Sequence, residues 1–439
     1  MAHLSASASL ASAPARRPPP SRSRGRPRVA SASASAPSPA RAASATPSSL
    51  PSFEGARAWR GPAMLADASS WTHRLTAVEI AELDAALASA RGAGLDVIDL
   101  TPETFPLPTL SARLRALRDE LVTGRGIHLF RGLPVQRWDS WQRCAAFYGM
   151  ASHVGWLCPQ NAKGHVLGHV KDLGCDPDDP AVRIYTTAAA QPFHTDSADV
   201  VGLMCLANGA EGGESQVVST AAVWNELIAT RPKLAAALVE PFPVDRKGEV
   251  PPGKNPTYDM PVMHIHREHR EEEPEDEGSE EEQHSEDSSG SSSRLLLSNI
   301  YDRNFIASAQ ARFAGDESSD GGSSGAWRVP RLTATQTAAL DALDALCADP
   351  SMHLEMRLEP GDVQWLHNHS TLHARSAYRR RDTGAEGDRH LLRVWVTPPN
   401  AVTLPRVFAE RFGTVDVGPS RGGIRVEGQV PYCALEPEE

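Results

Sequence analysis

Residues 155–220 limit the choice of fold more than any other part of the chain. Gly, Pro and β-branched residues are frequent there, and no helical repeat of apolar residues occurs. Short apolar segments bounded by turn residues are typical of buried strands, and three more follow at 353–358, 363–366 and 391–396. Strands do not alternate with helices, and no Gly-rich phosphate loop is present. The pattern favours a β-sandwich or jelly roll.

Amphipathic helices are predicted on both sides of this β-rich stretch. Thr76 and Glu79 form a T-x-x-E capping box ahead of apolar residues at helical spacing, and Gly92 ends that repeat. Thr333 and Gln336 form a similar box before another helix. Further helices are predicted at 110–122, near 138–148 and after Ser219, and a further buried strand is predicted at 126–134. The predicted fold class is therefore mainly β with flanking helices.

Charge is distributed unevenly along the 439 residues, whose formal net charge is −11. Residues 1–50 contain seven Arg and no acidic residue, whereas residues 268–293 contain twelve acidic residues and one Arg. The rest of the chain is mildly acidic. Because a nucleic-acid-binding face needs clustered cations, nucleic acid is not expected as a partner. No run of about 18 apolar residues occurs, so no membrane-spanning helix is expected.

The first 50 residues have the composition of a targeting sequence. They are rich in Ala, Ser, Pro and Arg, and they lack the compact apolar segment of a secretory signal. We therefore predict a disordered organellar transit peptide over residues 1–50. Ser and Pro interrupt any Arg-lined amphipathic helix, which favours the plastid over the mitochondrion. A disordered basic tail on a cytoplasmic protein is the alternative.

A single folded domain is predicted for residues 70–430. Two segments inside it, at 267–294 and 315–325, contain almost no apolar residue. Such segments bury too little apolar surface to offset the entropy lost on ordering. We therefore predict that both are disordered insertions at the surface.

Candidate metal ligands occur at two distant places. In a strand, residues i and i+2 point to one face, so His194 and Asp196 of the segment FHTD would converge. A His and a carboxylate are two thirds of a facial iron triad. The third ligand would be a distant His, and among the clustered His367, His369 and His373 we assign it to His373. The other two are predicted to be structural, although a cupin would use them as ligands.

Two arginines, Arg389 and Arg393, stand at the start of the apolar segment 391–396. A buried Arg needs an anionic partner, and its planar guanidinium suits a carboxylate. The partner could be a bound diacid or an internal Asp or Glu.

Four segments occur in an order that resembles the taurine dioxygenase and clavaminate synthase-like oxygenases. They are QPFHTDSADVVGLMCL (191–206), GGESQVVSTAAVWNEL (212–227), LEPGDVQWLHNHSTLHAR (358–375) and RHLLRVWV (389–396). The resemblance extends from about residue 126 to about residue 424, outside the two predicted insertions. It implies a double-stranded β-helix, or jelly roll, as the core of the fold.

The resemblance also implies a set of site residues. Fe(II) would be held by His194, Asp196 and His373, and O2 and 2-oxoglutarate would occupy the remaining metal positions. Arg389 would anchor the distal carboxylate of 2-oxoglutarate with help from Ser215. Arg393 would lie nearer the substrate or the C1 end of the cosubstrate. Because the spacing from His373 to Arg389 is longer than in the taurine enzymes, either arginine could be the main anchor.

The function implied is that of an Fe(II)- and 2-oxoglutarate-dependent dioxygenase. It would convert 2-oxoglutarate to succinate and CO2 while hydroxylating an unidentified small molecule, and Arg375 and Arg393 suggest an anionic group on that molecule. Asp196 argues against a halogenase, in which a small residue would leave room for chloride. A non-catalytic member of the same fold and a cupin-type metal-binding β-barrel are the alternatives.

Overall fold

The computed structural model describes residues 50–177, 182–251, 253–268, 294–315, 327–380 and 388–438. All of them belong to one structural unit, which extends from Ala45 to Glu439. The predicted transit peptide lies outside the described residues except for Leu50, and so do most residues of the two predicted insertions. No helix in the described part of the chain is long and apolar enough to cross a membrane.

Two β-sheets form the centre of the fold. The described strands are β1 (Thr72–Arg74), β2 (Ile127–Arg131), β3 (Trp156–Leu157), β4 (His165–Lys171), β5 (Gln191–His194), β6 (Val200–Ala207), β7 (Glu211–Gly212), β8 (Ser215–Ser219), β9 (Pro241–Asp245), β10 (Thr257–Pro261), β11 (Met263–Arg267), β12 (Leu295–Asn299), β13 (Leu354–Met356), β14 (Val363–His367), β15 (Thr371–Arg375), β16 (Tyr378–Arg379), β17 (His390–Thr397) and β18 (Tyr432–Cys433). The larger sheet has the order β1-β2-β14-β6-β17-β4-β18, with β3 paired to β17. The smaller sheet has the order β13-β8-β15-β5, and β9 with β10, β11 with β12 and β7 with β16 form separate pairs.

The two sheets share an apolar core. Val201 and Cys205 of β6 belong to it, together with Leu366 of β14 and Trp395 of β17. Val217 of β8 joins them from the smaller sheet. Because alternate residues of a strand point to opposite faces, each sheet has a second face that remains to be covered. This pair of mainly antiparallel sheets is the predicted jelly-roll core, which is confirmed.

Helices cover the outer faces of both sheets. The described α-helices are α1 (Gly61–Ala66), α2 (Ala77–Gly92), α3 (Leu110–Val122), α4 (Ser140–Val154), α5 (Thr220–Thr230), α6 (Pro232–Leu238), α7 (Arg303–Phe313), α8 (Ala334–Cys347) and α9 (Ala409–Phe412). Met204 and Trp365 of the larger sheet pack with Phe147 of α4. Leu372 of the smaller sheet packs with Trp224 of α5. The predicted class, mainly β with flanking helices, is therefore confirmed.

Candidate active site

Strands β5 and β15 bring the two predicted histidine ligands together. They are antiparallel neighbours, and their register places His373 opposite His194. The two ring centroids are 4.2 Å apart. Asp196 follows β5, and its Oδ2 lies 3.7 Å from Nε2 of His373. One potential ligand atom from each of the three buried residues lies within 4.8 Å of the others.

The protonation states of these side chains suit a divalent metal. Burial and the neighbouring His194 lower the pKa of His373 to about 3. Burial alone would raise the pKa of Asp196, but Arg393 and His373 outweigh it, and the pKa is lowered. At neutral pH the site therefore offers a neutral His373 ring and an ionised carboxylate, which are the forms that bind metals.

Unsatisfied polar atoms also indicate an ion. Within the described residues, Oδ2 of Asp196 and Nδ1 of His373 are buried and have no hydrogen-bond partner. Buried polar groups are normally hydrogen-bonded, and buried charges are paired or coordinate a metal. His194 donates its Nδ1–H to the Pro192 carbonyl at 2.9 Å, which leaves Nε2 unprotonated and able to bind a metal; the side-chain amide of Gln191 lies 2.9 Å from this Nε2. The residues present therefore fit the two-His, one-carboxylate site of Fe(II) oxygenases.

A small cavity extends from His194 and His373 to a pair of buried arginines, Arg375 and Arg389. Nε of Arg389 donates to the Gly213 carbonyl at 3.3 Å, and its Nη1 has no partner among the described residues. Gly213 leaves room for this guanidinium, because a Cβ there would lie 2.7 Å from Nε of Arg389. Of the two predicted anchors, Arg389 is the one with a buried nitrogen that has no hydrogen-bond partner among the described residues.

Arg393 lies nearer to the metal ligands. Its Nη1 is 3.2 Å from Oδ1 of Asp196, and its Nε donates to Oε1 of Gln160 at 2.8 Å. Ser215 lines the small cavity as well, and its Oγ donates to Gln364 at 2.9 Å. Gln160 was missed in the sequence, because an isolated Gln in a loop carries no recognisable signal.

A larger cavity of about 730 Å³ adjoins His194 and Asp196. Its wall includes the cations Arg183, Lys247 and Arg411. No sequence motif connects these three residues, because each belongs to a different loop or helix. A space of this size on one side of the metal ligands suits a small organic substrate.

His367 and His369 do not belong to the metal-ligand group. Nδ1 of His367 lies 2.9 Å from Oγ of Ser370, and Nε2 of His369 lies 2.8 Å from Oδ1 of Asp199. In the described part of the chain, only the group around His194 brings three potential metal ligands together. The cupin alternative, which needs both of these histidines as ligands, therefore does not fit.

Comparison with known proteins indicates the same class of protein, the Fe(II) oxygenases. The family model described as "Taurine catabolism dioxygenase TauD, TfdA family" matches residues 94–395. FR-33289 synthase from Streptomyces rubellomurinus (strain ATCC 31215) is 28% identical over 345 residues, which cover 78% of this chain and 90% of that protein. Taurine hydroxylase-like protein SAT17 from Stachybotrys chartarum (strain CBS 109288 / IBT 7711) is 28% identical over 344 residues, which cover 74% and 77%.

A solved structure shares the fold. The non-heme iron oxygenase OrfP in complex with Fe, succinate and (3R,4R)-dihydroxy-L-Arg aligns with a TM-score of 0.50 and 17% identity, covering 74% of this chain and 94% of its own. The family match, in contrast, extends over more than half of the chain and includes all three predicted metal ligands and both predicted anchors. The chain therefore belongs to the TauD, TfdA family, and it is an Fe(II)- and 2-oxoglutarate-dependent dioxygenase.

Proposed function

We propose that His194, Asp196 and His373 hold the Fe(II) of this dioxygenase. The observation that carries the proposal is the convergence of three buried ligand atoms within 4.8 Å, at a site where Asp196 and His373 keep unpartnered atoms. Bound there, Fe(II) supplies the redox chemistry that couples conversion of 2-oxoglutarate and O2 to succinate and CO2 with hydroxylation of a substrate C–H bond. Arg393 holds Asp196 ionised and oriented beside it.

The small cavity is the proposed site of 2-oxoglutarate. Its histidine end would receive the 2-oxo acid group, and its arginine end would receive the distal carboxylate. Arg389 is the proposed main anchor, since a planar guanidinium binds a carboxylate through two parallel hydrogen bonds. The Ser215 hydroxyl, now donated to Gln364, is close enough to the same cavity to serve as a second donor.

The substrate proposed for the larger cavity is a small molecule with an anionic group. Three cations surround the ring of Phe305, with Arg183, Lys247 and Arg411 between 5.6 and 5.8 Å from its centroid. Glu249 pairs with both arginines, at 2.5 Å and 3.8 Å. Asp302 lines the same cavity, so Glu249 and Asp302 together oppose three cations. The excess of positive charge at this wall favours an anion.

A binding screen tests the substrate class. Protein loaded with Mn(II), which replaces Fe(II) without supporting turnover, and with 2-oxoglutarate should bind small anionic metabolites in preference to neutral analogues of the same size. Equal binding of both groups would refute the anionic assignment while leaving the metal site untouched.

Metal binding tests the ligand assignment. Wild-type protein should bind one Mn(II) per chain. His194→Ala, Asp196→Ala and His373→Ala should each lose tight binding, because the protein supplies only three ligands and each substitution removes one. His367→Gln is the matched control, since it removes a nearby buried histidine outside the group, and it should bind as the wild type does. Loss of metal in the control alone, with the other three unaffected, would overturn the assignment.

We also propose that residues 1–50 direct the protein to the plastid. The support is their composition, which combines seven Arg with frequent Ser, Ala and Pro and contains no acidic residue. A fluorescent protein fused after residue 50 should accumulate in plastids of a plant cell. Mitochondrial or diffuse cytoplasmic fluorescence would rule the proposal out.

A further inference from the structure

We infer that Arg375 is a second anchor for the distal carboxylate of 2-oxoglutarate, acting beside Arg389. The inference rests on the proposed function, in which the small cavity receives the cosubstrate. Both arginines line that cavity, and both are buried.

Strand β15 directs Arg375 and a metal ligand to the same face. Arg375 pairs with Ser215 of β8, and His373 pairs with Val217, in an uninterrupted antiparallel register. Residues two apart in a strand share a face and lie about 7 Å apart along it. His373 therefore faces one end of the cavity and Arg375 the other, at a separation comparable with the length of a five-carbon diacid.

The guanidinium of Arg375 is fixed in place but not neutralised. Its Nη2 donates to the carbonyls of Thr187, at 3.1 Å, and Ala189. Its Nε and Nη1 are buried and have no partner among the described residues. Carbonyl oxygens orient the group without supplying a negative charge, so two of its nitrogens remain available to an anion.

Arg389 and Arg375 form one cationic site around Tyr378. The guanidinium carbon of Arg375 lies 5.1 Å from the centroid of the Tyr378 ring, and that of Arg389 lies 5.4 Å from it. Burial and the neighbouring Arg375 lower the pKa of Arg389 to about 10. No carboxylate forms an ion pair with either arginine within the described residues. Glu214, whose charge acts on Arg389, is held by Ser376 and Arg357, and Asp388 pairs with Arg380.

Two buried cations without an anion are costly, because each has lost its hydration. A single carboxylate bound by both arginines would offset the desolvation free energy of the two guanidinium groups. It would also accept hydrogen bonds from Nη1 of Arg389 and from Nε and Nη1 of Arg375. The ligand with a carboxylate at this end and a metal-binding group at the other is a 2-oxo diacid.

The test compares 2-oxoglutarate with 2-oxobutanoate, which has the same 2-oxo acid group but no distal carboxylate. Calorimetric titration of Mn(II)-loaded protein gives the affinity for each probe. Arg375→Gln should weaken 2-oxoglutarate binding about 10- to 100-fold, as expected for lost hydrogen bonds to a charged group, and should leave 2-oxobutanoate binding within about threefold of wild type. Arg375→Lys should show a smaller loss, because it keeps the charge but not the planar fork.

Two control variants separate this inference from the proposed function. Arg389→Gln should lose selectivity for the diacid in the same way, and Arg91→Gln, at an exposed arginine paired with Asp139, should change neither affinity. If Arg389→Gln loses selectivity but Arg375→Gln keeps it, Arg375 is no anchor and the proposed function stands. If Arg375→Gln weakens both probes equally, its role is to hold Thr187 and Ala189. If the wild-type protein binds both probes equally, the proposed cosubstrate site itself is wrong.

Discussion

At the scale of single residues, a buried charge network supports the loop between β14 and β15. Asp199 accepts from Arg421 at 2.5 Å and lies 2.8 Å from Nε2 of His369, and all three side chains are almost inaccessible to solvent. The backbone N–H of Asn368 donates to the Asp199 carbonyl at 2.8 Å. The network therefore fixes the segment that leads into His373.

Removing the charge of Asp199 should destabilise the protein. Asp199→Asn leaves Arg421 buried without an anion, which should lower the free energy of unfolding by about 3–5 kcal/mol at neutral pH. Chemical denaturation measures this change. Asp341→Asn, at an exposed aspartate paired with Arg303, is the matched control and should cost no more than about 1 kcal/mol.

The contribution of Asp199 should also depend on pH. Burial alone would raise its pKa, but Arg421 and the hydrogen bond from His369 outweigh burial and lower the pKa to about 2. The carboxylate therefore stabilises the native state fully above its unfolded pKa of about 3.9, and this contribution is lost as the pH falls towards 2. The difference in stability between wild type and Asp199→Asn should shrink over that interval. A difference that stays constant from pH 5 to pH 2 would contradict this account.

The residues of the site were predictable to different degrees. His194 and Asp196 could be predicted because the segment around them, QPFHTDSADVV, resembles the family; the strand itself ends at His194, so strand periodicity does not place Asp196. His373 was chosen over His367 and His369 because Ala-Arg follows it and because it stands where a cupin would have an acidic residue; its position opposite His194 depends on strand register, which the sequence does not show. Arg183, Lys247 and Arg411 are far apart in the sequence and lie close together only in the folded chain. No local sequence pattern therefore predicts that they share one cavity wall.

At the scale of elements, the acidic insertion joins two paired strands. Arg267 at the end of β11 faces Leu295 at the start of β12. Glu268 then donates its N–H to the Arg294 carbonyl at 2.9 Å. The hairpin is therefore closed before residues 269–293, which lie outside the described residues, so the predicted disorder of this segment stays a prediction.

Replacing residues 269–293 by Asn-Gly should preserve the fold and metal binding, because this dipeptide suits a two-residue hairpin loop. The free energy of unfolding should stay the same or rise by about 1–2 kcal/mol, since a shorter loop costs less entropy to close. Denaturant unfolding and Mn(II) binding measure the outcome. A variant that also lacks residues 295–297 is the control and should be destabilised, because Leu296 and Leu297 are buried. Loss of metal binding in the first variant would show that the insertion supports the site.

Helices with strong end signals were easier to predict than short or weakly patterned elements. The capping boxes at Thr76 and Thr333 are both present, and α3 matches its predicted bounds. In contrast, β1 has only three residues and depends on parallel pairing with β2. Helix α7 was missed because only two of its residues, Ile306 and Ala309, are buried, which leaves almost no helical repeat to detect.

At the scale of the whole molecule, the two sheets contribute different parts of the site. β5 and β15 of the smaller sheet carry His194 and His373, whereas Arg393 lies on β17 of the larger sheet. The small and the larger cavity both reach His194 and Arg393. The cosubstrate and the substrate can therefore approach the metal ligands through separate spaces. The class of sheet fold could be predicted from the strand pattern, but this division between the sheets depends on long-range pairing.

The conversion of 2-oxoglutarate to succinate measures whether His194, Asp196 and His373 form a working iron site. Purified protein supplied with Fe(II), ascorbate and O2 should form succinate, even slowly in the absence of the true substrate. Asp196→Ala should lower the rate by more than about 100-fold, because loss of a ligand should exceed the 10- to 100-fold effects of losing an outer hydrogen-bond partner. Succinate formation at the wild-type rate by Asp196→Ala, or none by metal-loaded wild-type protein, would contradict the account.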